Sequence, residues 1–74
     1  MDTRQLKTLL AIVESGSFSR AAEAVHLTVS AVSQQIQALE QEVGAPLFDR
    51  TSRPPRLTAA GQQMVELADQ MVRA

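Results

Sequence analysis

The sequence predicts a mainly α fold: three short helices, a two-stranded β-wing and a long fourth helix. Three observations predict it. Apolar residues recur at helical spacing in four blocks, each preceded by Asp, Ser or Thr, with Gly closing the first and third. Residues 17–40 (SFSRAAEAVHLTVSAVSQQIQALE) set alanines and aliphatics where two helices cross closely, and Ser, Thr and Gln where a helix faces outwards. From Pro46 the helical pattern stops, and a Pro-containing turn at residues 51–55 (TSRPP) separates two short extended pieces.

Asp2 caps the first helix, and Gln5 completes a capping box with Met1 and Leu6 at staple positions. Leu6, Leu9, Leu10 and Val13 form its core stripe, and Gly16 ends it in the left-handed region. Ser17 caps the second helix, whose stripe is Phe18, Ala21, Ala22 and Val25. His26 and Leu27 make the turn, His being tolerated at positive φ better than most residues. Thr28 caps the third helix, with Val32, Ile36, Leu39 and Val43 buried and Gly44 closing it. Residues 47–50 are extended, and Arg56-Leu57 pairs back on them as a second strand. Thr58 caps the last helix, which runs towards Ala74. Gly61 in its first turn costs about 1 kcal/mol of helix propensity, so a close backbone approach is expected there.

This is the pattern of a winged helix-turn-helix over residues 1–58, with the helix-turn-helix at about 17–43 and the wing at about 46–58. Residues 59–74 begin a linker helix that stops with its apolar pattern unfinished, which reads as a truncation. Met64, Leu67, Ala68 and Met71 form one stripe of it, with Val65 and Val72 beside. That width suits core packing on the first helix, a partner helix, or a division between the two.

Seventy-four residues give one core, and only Phe18 and Phe48 are aromatic. The chain has no Cys and only His26, so disulfides, thiol chemistry and the usual zinc sites are excluded; no cofactor is expected in it. Scattered carboxylates and the lack of a Gly-rich phosphate loop argue against an enzyme. No apolar run approaches a membrane span, and no signal core follows the N-terminus, so a soluble cytoplasmic protein is expected. The formal net charge of −1 runs against nucleic-acid binding in bulk, but placement matters more. No acid lies between Glu23 and Glu40 or between Asp49 and Glu66, and the second gap holds Arg50, Arg53 and Arg56.

Together, Gln5-Leu6, GSFSRAAEAVHLT (residues 16–28), SAVSQQIQALEQEVG (30–44) and LFDRTSRPPRLTAAG (47–61) resemble the N-terminal DNA-binding domain of LysR-type transcriptional regulators, over the whole chain. The resemblance implies a bacterial, nucleoid-associated regulator that pairs through the linker helix. It also implies a larger C-terminal domain sensing a small molecule, which this chain lacks. Two departures stand out. The family's recognition helix usually opens Ser-Gln-Pro, where this chain has Thr28-Val29-Ser30; and Gln34 follows Ser33 where the family usually has Arg.

The candidate readers of double-stranded DNA are Thr28, Val29, Ser30, Ser33, Gln34 and Gln37 on the third helix, because the first turns of a helix in the major groove reach the bases. Gln34 suits adenine N6 and N7, or is a solvated glutamine. Val29 suits a thymine methyl, or a staple-like contact at the cap. Thr28 caps the helix and points its free N–H groups towards a phosphate. Arg53 at the wing tip suits a minor groove, with Arg50 and Arg56 on phosphates, unless Arg50 pairs with Asp49 or Glu42. Ser19 and Arg20 are weaker phosphate candidates, and Arg4 and Lys7 could bond Glu40 or Glu42 instead. A homodimer through Met64, Leu67, Ala68 and Met71 on an imperfect palindrome would supply the affinity a weakly charged domain lacks. The competing reading is a winged-helix dimerisation or protein-interaction module without DNA.

Overall fold

Each helix begins at the cap its sequence offers. In the computed structural model, which describes residues 1–73, the elements in order are α1 (Thr3–Ser15), α2 (Phe18–Val25), α3 (Val29–Val43), β1 (Phe48–Asp49), β2 (Arg56–Leu57) and α4 (Ala59–Arg73). Asp2 Oδ1 accepts the Arg4 N–H at 2.7 Å while Gln5 Oε1 accepts the Asp2 N–H at 3.1 Å, a closed capping box. Ser17 Oγ accepts from Arg20 N, Thr28 Oγ1 from Ala31 N and Thr58 Oγ1 from Gly61 N, each at 3.0 Å. Gly16 and Gly44 end α1 and α3 at φ 84° and 82°, and His26 ends α2 at φ 61°. The expected continuation of the last helix to Ala74 lies outside the described residues.

The core gathers on α1, which packs against α2, α3 and α4. Leu6, Leu9, Leu10 and Ile12 meet Ala21 and Ala22 of α2, Val32, Ile36 and Leu39 of α3, Leu47 and Phe48 at the wing, and Met64 and Ala68 of α4. The paired alanines let α2 lie close to its neighbours, since a methyl side chain adds little thickness at a crossing. Phe18 and Phe48 meet edge to face, with centroids 5.3 Å apart and planes at 67°, tying α2 to the wing.

Three expectations are corrected. Val13 was expected in the core but is 39% exposed. It lies at the right angular position on α1 but near the helix end, beside a 220 Å³ cleft under Pro54 and Pro55, where nothing covers it fully. Thr8 is buried instead, because its hydroxyl donates to Gln35 Oε1 of α3 at 2.6 Å. The expected α4 stripe divides: Met64 and Ala68 are core, so they do not offer a dimer surface, whereas Leu67 and Met71 are 44% and 60% exposed. The buried face of α4 is Gly61, Met64 and Ala68, flanked by Val65 and Val72. Met1 is exposed at 55%, leaving the expected staple open.

The wing is a two-stranded antiparallel ladder pairing Phe48 with Leu57 and Asp49 with Arg56. Leu47 joins it to everything else. Its N–H donates to Glu40 Oε2 at 2.8 Å, and its carbonyl accepts the Thr58 N–H at 3.0 Å. Gly61 faces that same carbonyl so closely that a Cβ there would stand 2.1 Å from the oxygen. The close approach expected from a glycine in a helix's first turn is therefore present, against the chain leading into β1.

Candidate nucleic-acid interface

Burial of Val32, Ile36 and Leu39 fixes which side of α3 is free. Thr28, Val29, Ser30, Gln34 and Gln37 are exposed and Ser33 is half-buried. On the wing Arg50, Arg53 and Arg56 are exposed, as are Ser19 and Arg20 in the first turn of α2. A 280 Å³ cleft is lined by Phe18, Ser19, Val29, Ser33, Arg50 and Pro55, so the start of α2, the start of α3 and the wing share one surface. A 530 Å³ cleft beside it carries Gln37 with Glu40 and Arg50. Thr28, Ser30, Gln34, Arg20, Arg53 and Arg56 are outside both clefts; Thr28 is engaged in its cap.

Arg50 is the most constrained of the arginines on this surface. Its Nη1 reaches Ser33 Oγ at 3.5 Å, its Nη2 stands 3.6 Å from Glu40 Oε1, and its guanidinium carbon is 5.4 Å from the Phe18 ring centroid. Glu40 therefore takes the place of the expected partners Asp49 and Glu42. Sequence reasoning missed Glu40 as its partner, and the one available signal was that Glu40 is the first acid of α3 after an acid-free run from Val29. Arg4 does not reach Glu40 or Glu42; it pairs with Asp2 at 3.2 Å, and Glu42 binds the N-terminal ammonium.

Asp49 was also missed. Its Oδ1 accepts the Thr51 hydroxyl at 2.5 Å and the Thr51 N–H at 3.0 Å, which orders the chain leaving β1. The Thr51 hydroxyl bond first, and the backbone bond second, hold its carboxyl below the usual aspartate range. Arg56, opposite it in the ladder, offsets the charge. The surface thus offers hydroxyls, amides and four arginines, with its two acids each engaged in bonds that shape the wing.

No helix among the described residues is long and apolar enough to cross a membrane. A family model described as the bacterial regulatory helix-turn-helix protein, lysR family, matches residues 3–62. The chain is 49% identical over 72 residues to the HTH-type transcriptional regulator MetR of Haemophilus influenzae, covering 97% of this chain and 23% of that protein. The crystal structure of Vibrio fischeri DarR in complex with DNA superposes with a TM-score of 0.93 at 36% identity, over 99% of this chain and 25% of that one. The CbnR DBD–DNA complex does so with a TM-score of 0.91 at 37% identity, over 99% of this chain and 84% of that one. The chain spans about a quarter of the length of the full regulators, as the 23% of MetR illustrates. Helices, wing and sequence agree: the chain belongs to the LysR family of bacterial regulatory helix-turn-helix proteins.

Proposed function

We propose that this chain is the double-stranded-DNA-binding part of a LysR-type transcription regulator, with α3 in the major groove and the wing against the neighbouring backbone. One observation carries the reading: the first turns of α2 and α3 border a single cleft with Arg50 and Pro55 of the wing. An α-helix with its side chains is about 10–12 Å across, and the major groove is about 12 Å wide. With Val32, Ile36 and Leu39 held in the core, Val29, Ser30, Ser33, Gln34 and Gln37 are the side chains α3 has left for base edges. Gln34 is the adenine reader and Val29 the thymine-methyl contact. Arg53 at the wing tip enters the minor groove; Arg50 and Arg56 meet phosphates, helped by Ser19 and Arg20. The neighbours DarR and CbnR, both solved with DNA, support the assignment.

The active form is a homodimer that pairs Leu67 and Met71, the exposed apolar residues of α4. Two linked half-sites raise the affinity of a domain whose net charge is −1. The operator is then an imperfect palindrome with half-sites about 10–10.5 bp apart, or a multiple. These 74 residues need no cofactor; a small-molecule effector would bind sequence outside them. Selection of bound duplexes from random DNA tests the reading. The expected result is a two-half-site consensus whose affinity falls steeply with salt. Salt-independent association, or a bound pool with no consensus, would overturn it.

A further inference from the structure

Glu40 is an acid within the surface assigned to DNA, and it is held rather than solvated, with its side chain 17% exposed. Its two oxygens are divided. Oε2 accepts the Leu47 N–H at 2.8 Å, and Oε1 lies 3.6 Å from Arg50 Nη2. A neutral amide would serve the first contact equally well, because an amide oxygen accepts an N–H. Only a carboxylate serves the second, and a negative charge near phosphates lowers general affinity for every duplex. The charge therefore needs a reason beyond closing the turn, and Arg50 supplies it. Ser33 and Phe18 touch the same guanidinium from α3 and α2, so the group is restrained on three sides while staying 39% exposed.

We propose that Glu40 is a positioning residue for DNA readout: it aims the Arg50 guanidinium beside Ser33 and cancels its charge as a free counterion. This rests on α3 and the wing being the DNA surface. A loose arginine neutralises any phosphate within its reach, whatever the sequence. A guanidinium fixed by a carboxylate, a hydroxyl and an aromatic face presents its remaining N–H groups in one direction. It contributes fully only when the duplex is in the register that α3 selects. Glu40 thus lowers binding to random DNA more than binding to the operator, and the difference is specificity.

The test measures Kd of the full chain against salt, on the duplex selected from random DNA and on a scrambled duplex of equal length. In Glu40→Gln, Arg50 is freed while the Leu47 acceptor remains. Binding to the scrambled duplex should tighten about three- to tenfold, with its salt slope steeper by about 0.9. The operator-to-scrambled ratio should fall. Adding Arg50→Ala should erase the gain, which a purely structural role for Glu40 would not do. Arg50→Lys, which keeps the positive charge in an unaltered turn but cannot fork between Glu40 and Ser33, should lower the operator-to-scrambled ratio by a larger factor than it changes scrambled-duplex affinity, so the idea stays testable even if Glu40→Gln unfolds. A Glu40→Gln chain that folds with unchanged scrambled-duplex affinity, a gain that survives loss of Arg50, or an Arg50→Lys chain with full discrimination overturns the inference. If the parent binds neither duplex, the DNA reading falls as well; if the parent binds, only the role of Glu40 does.

Discussion

Replacing Gly61 with alanine sets two effects against each other at one backbone position. In an open helix, alanine stabilises by about 1 kcal/mol over glycine. Here its Cβ would stand 2.1 Å from the Leu47 carbonyl oxygen, 3.1 Å from the carbonyl carbon and 2.9 Å from Leu57 Cδ2. The Leu57 methyl can rotate away, but the carbonyl belongs to the backbone. To reach ordinary van der Waals separation the chain before β1 must retreat by more than about 1 Å. That carbonyl accepts the Thr58 N–H at 3.0 Å, so the retreat stretches a bond that fastens α4 to the wing. Overpacking costs about 1–3 kcal/mol, and a weakened, partly buried hydrogen bond about 1–3 kcal/mol. Against the propensity gain, the net is a loss of about 1–5 kcal/mol, with a middle value of about 3 kcal/mol. For a domain of this size the middle value lowers the thermal midpoint by about 10–20 °C. Thermal unfolding followed by far-UV circular dichroism reads it directly. Gln62→Ala, at an exposed neighbouring position, is the control and should stay within about 0.5 kcal/mol of the parent. A Gly61→Ala chain as stable as the parent would refute the claim that this carbonyl is pinned.

Other expectations follow from the interface, the dimer and the caps. Gln34→Ala should change which base is preferred at one position of the selected consensus, whereas Arg53→Ala should weaken all duplexes and flatten the salt slope by about 0.9. Equal binding by both variants and the parent would remove the α3-and-wing model. Leu67→Asp should give monomers by sedimentation that keep the parent's helical circular-dichroism signal, because within a single chain the side chain is 44% exposed and outside the core. A dimer surviving that change would put the pairing surface elsewhere. Asp2→Asn should leave neutral-pH stability nearly intact, since Asn caps as well as Asp. The Arg4 N–H, and then its side chain, hold the Asp2 carboxyl below its ordinary range. A depressed folded pKa gives stability that is complete above the unfolded value and is lost as pH falls through the folded one. The variant's thermal midpoint should therefore fall less than the parent's below about pH 4; parallel curves would contradict this.

Short-range features of this fold were readable because their causes are local. Asp2, Ser17, Thr28 and Thr58 each cap the helix expected of them, since a cap needs only a side-chain oxygen and the N–H groups of the next turn. The exposed Ser/Gln side of α3 was equally readable, because the aliphatic stripe opposite it fixes the helix's rotation. What failed depended on partners distant in sequence. Thr8 is buried because Gln35 lies opposite it, and no periodicity in α1 carries that information. Arg50 finds Glu40 across the chain reversal at Gly44, where spacing rules for helices no longer apply. The α4 stripe misled for a related reason: its apolar residues cover more than one face, and only packing against α1 separates Met64 and Ala68 from Leu67 and Met71.

Leu47 has both of its peptide hydrogen-bonding groups occupied, the N–H by α3 and the carbonyl by the residue that caps α4. Leu47 is thus a tie point shared by α3, the hairpin and the start of α4. In the proposed dimer, the separation and relative tilt of the two copies would follow from how their α4 helices associate. Base preference and operator spacing would then be separately adjustable traits of that dimer: substitutions on α3 would alter the first, and a re-angled α4 pairing the second.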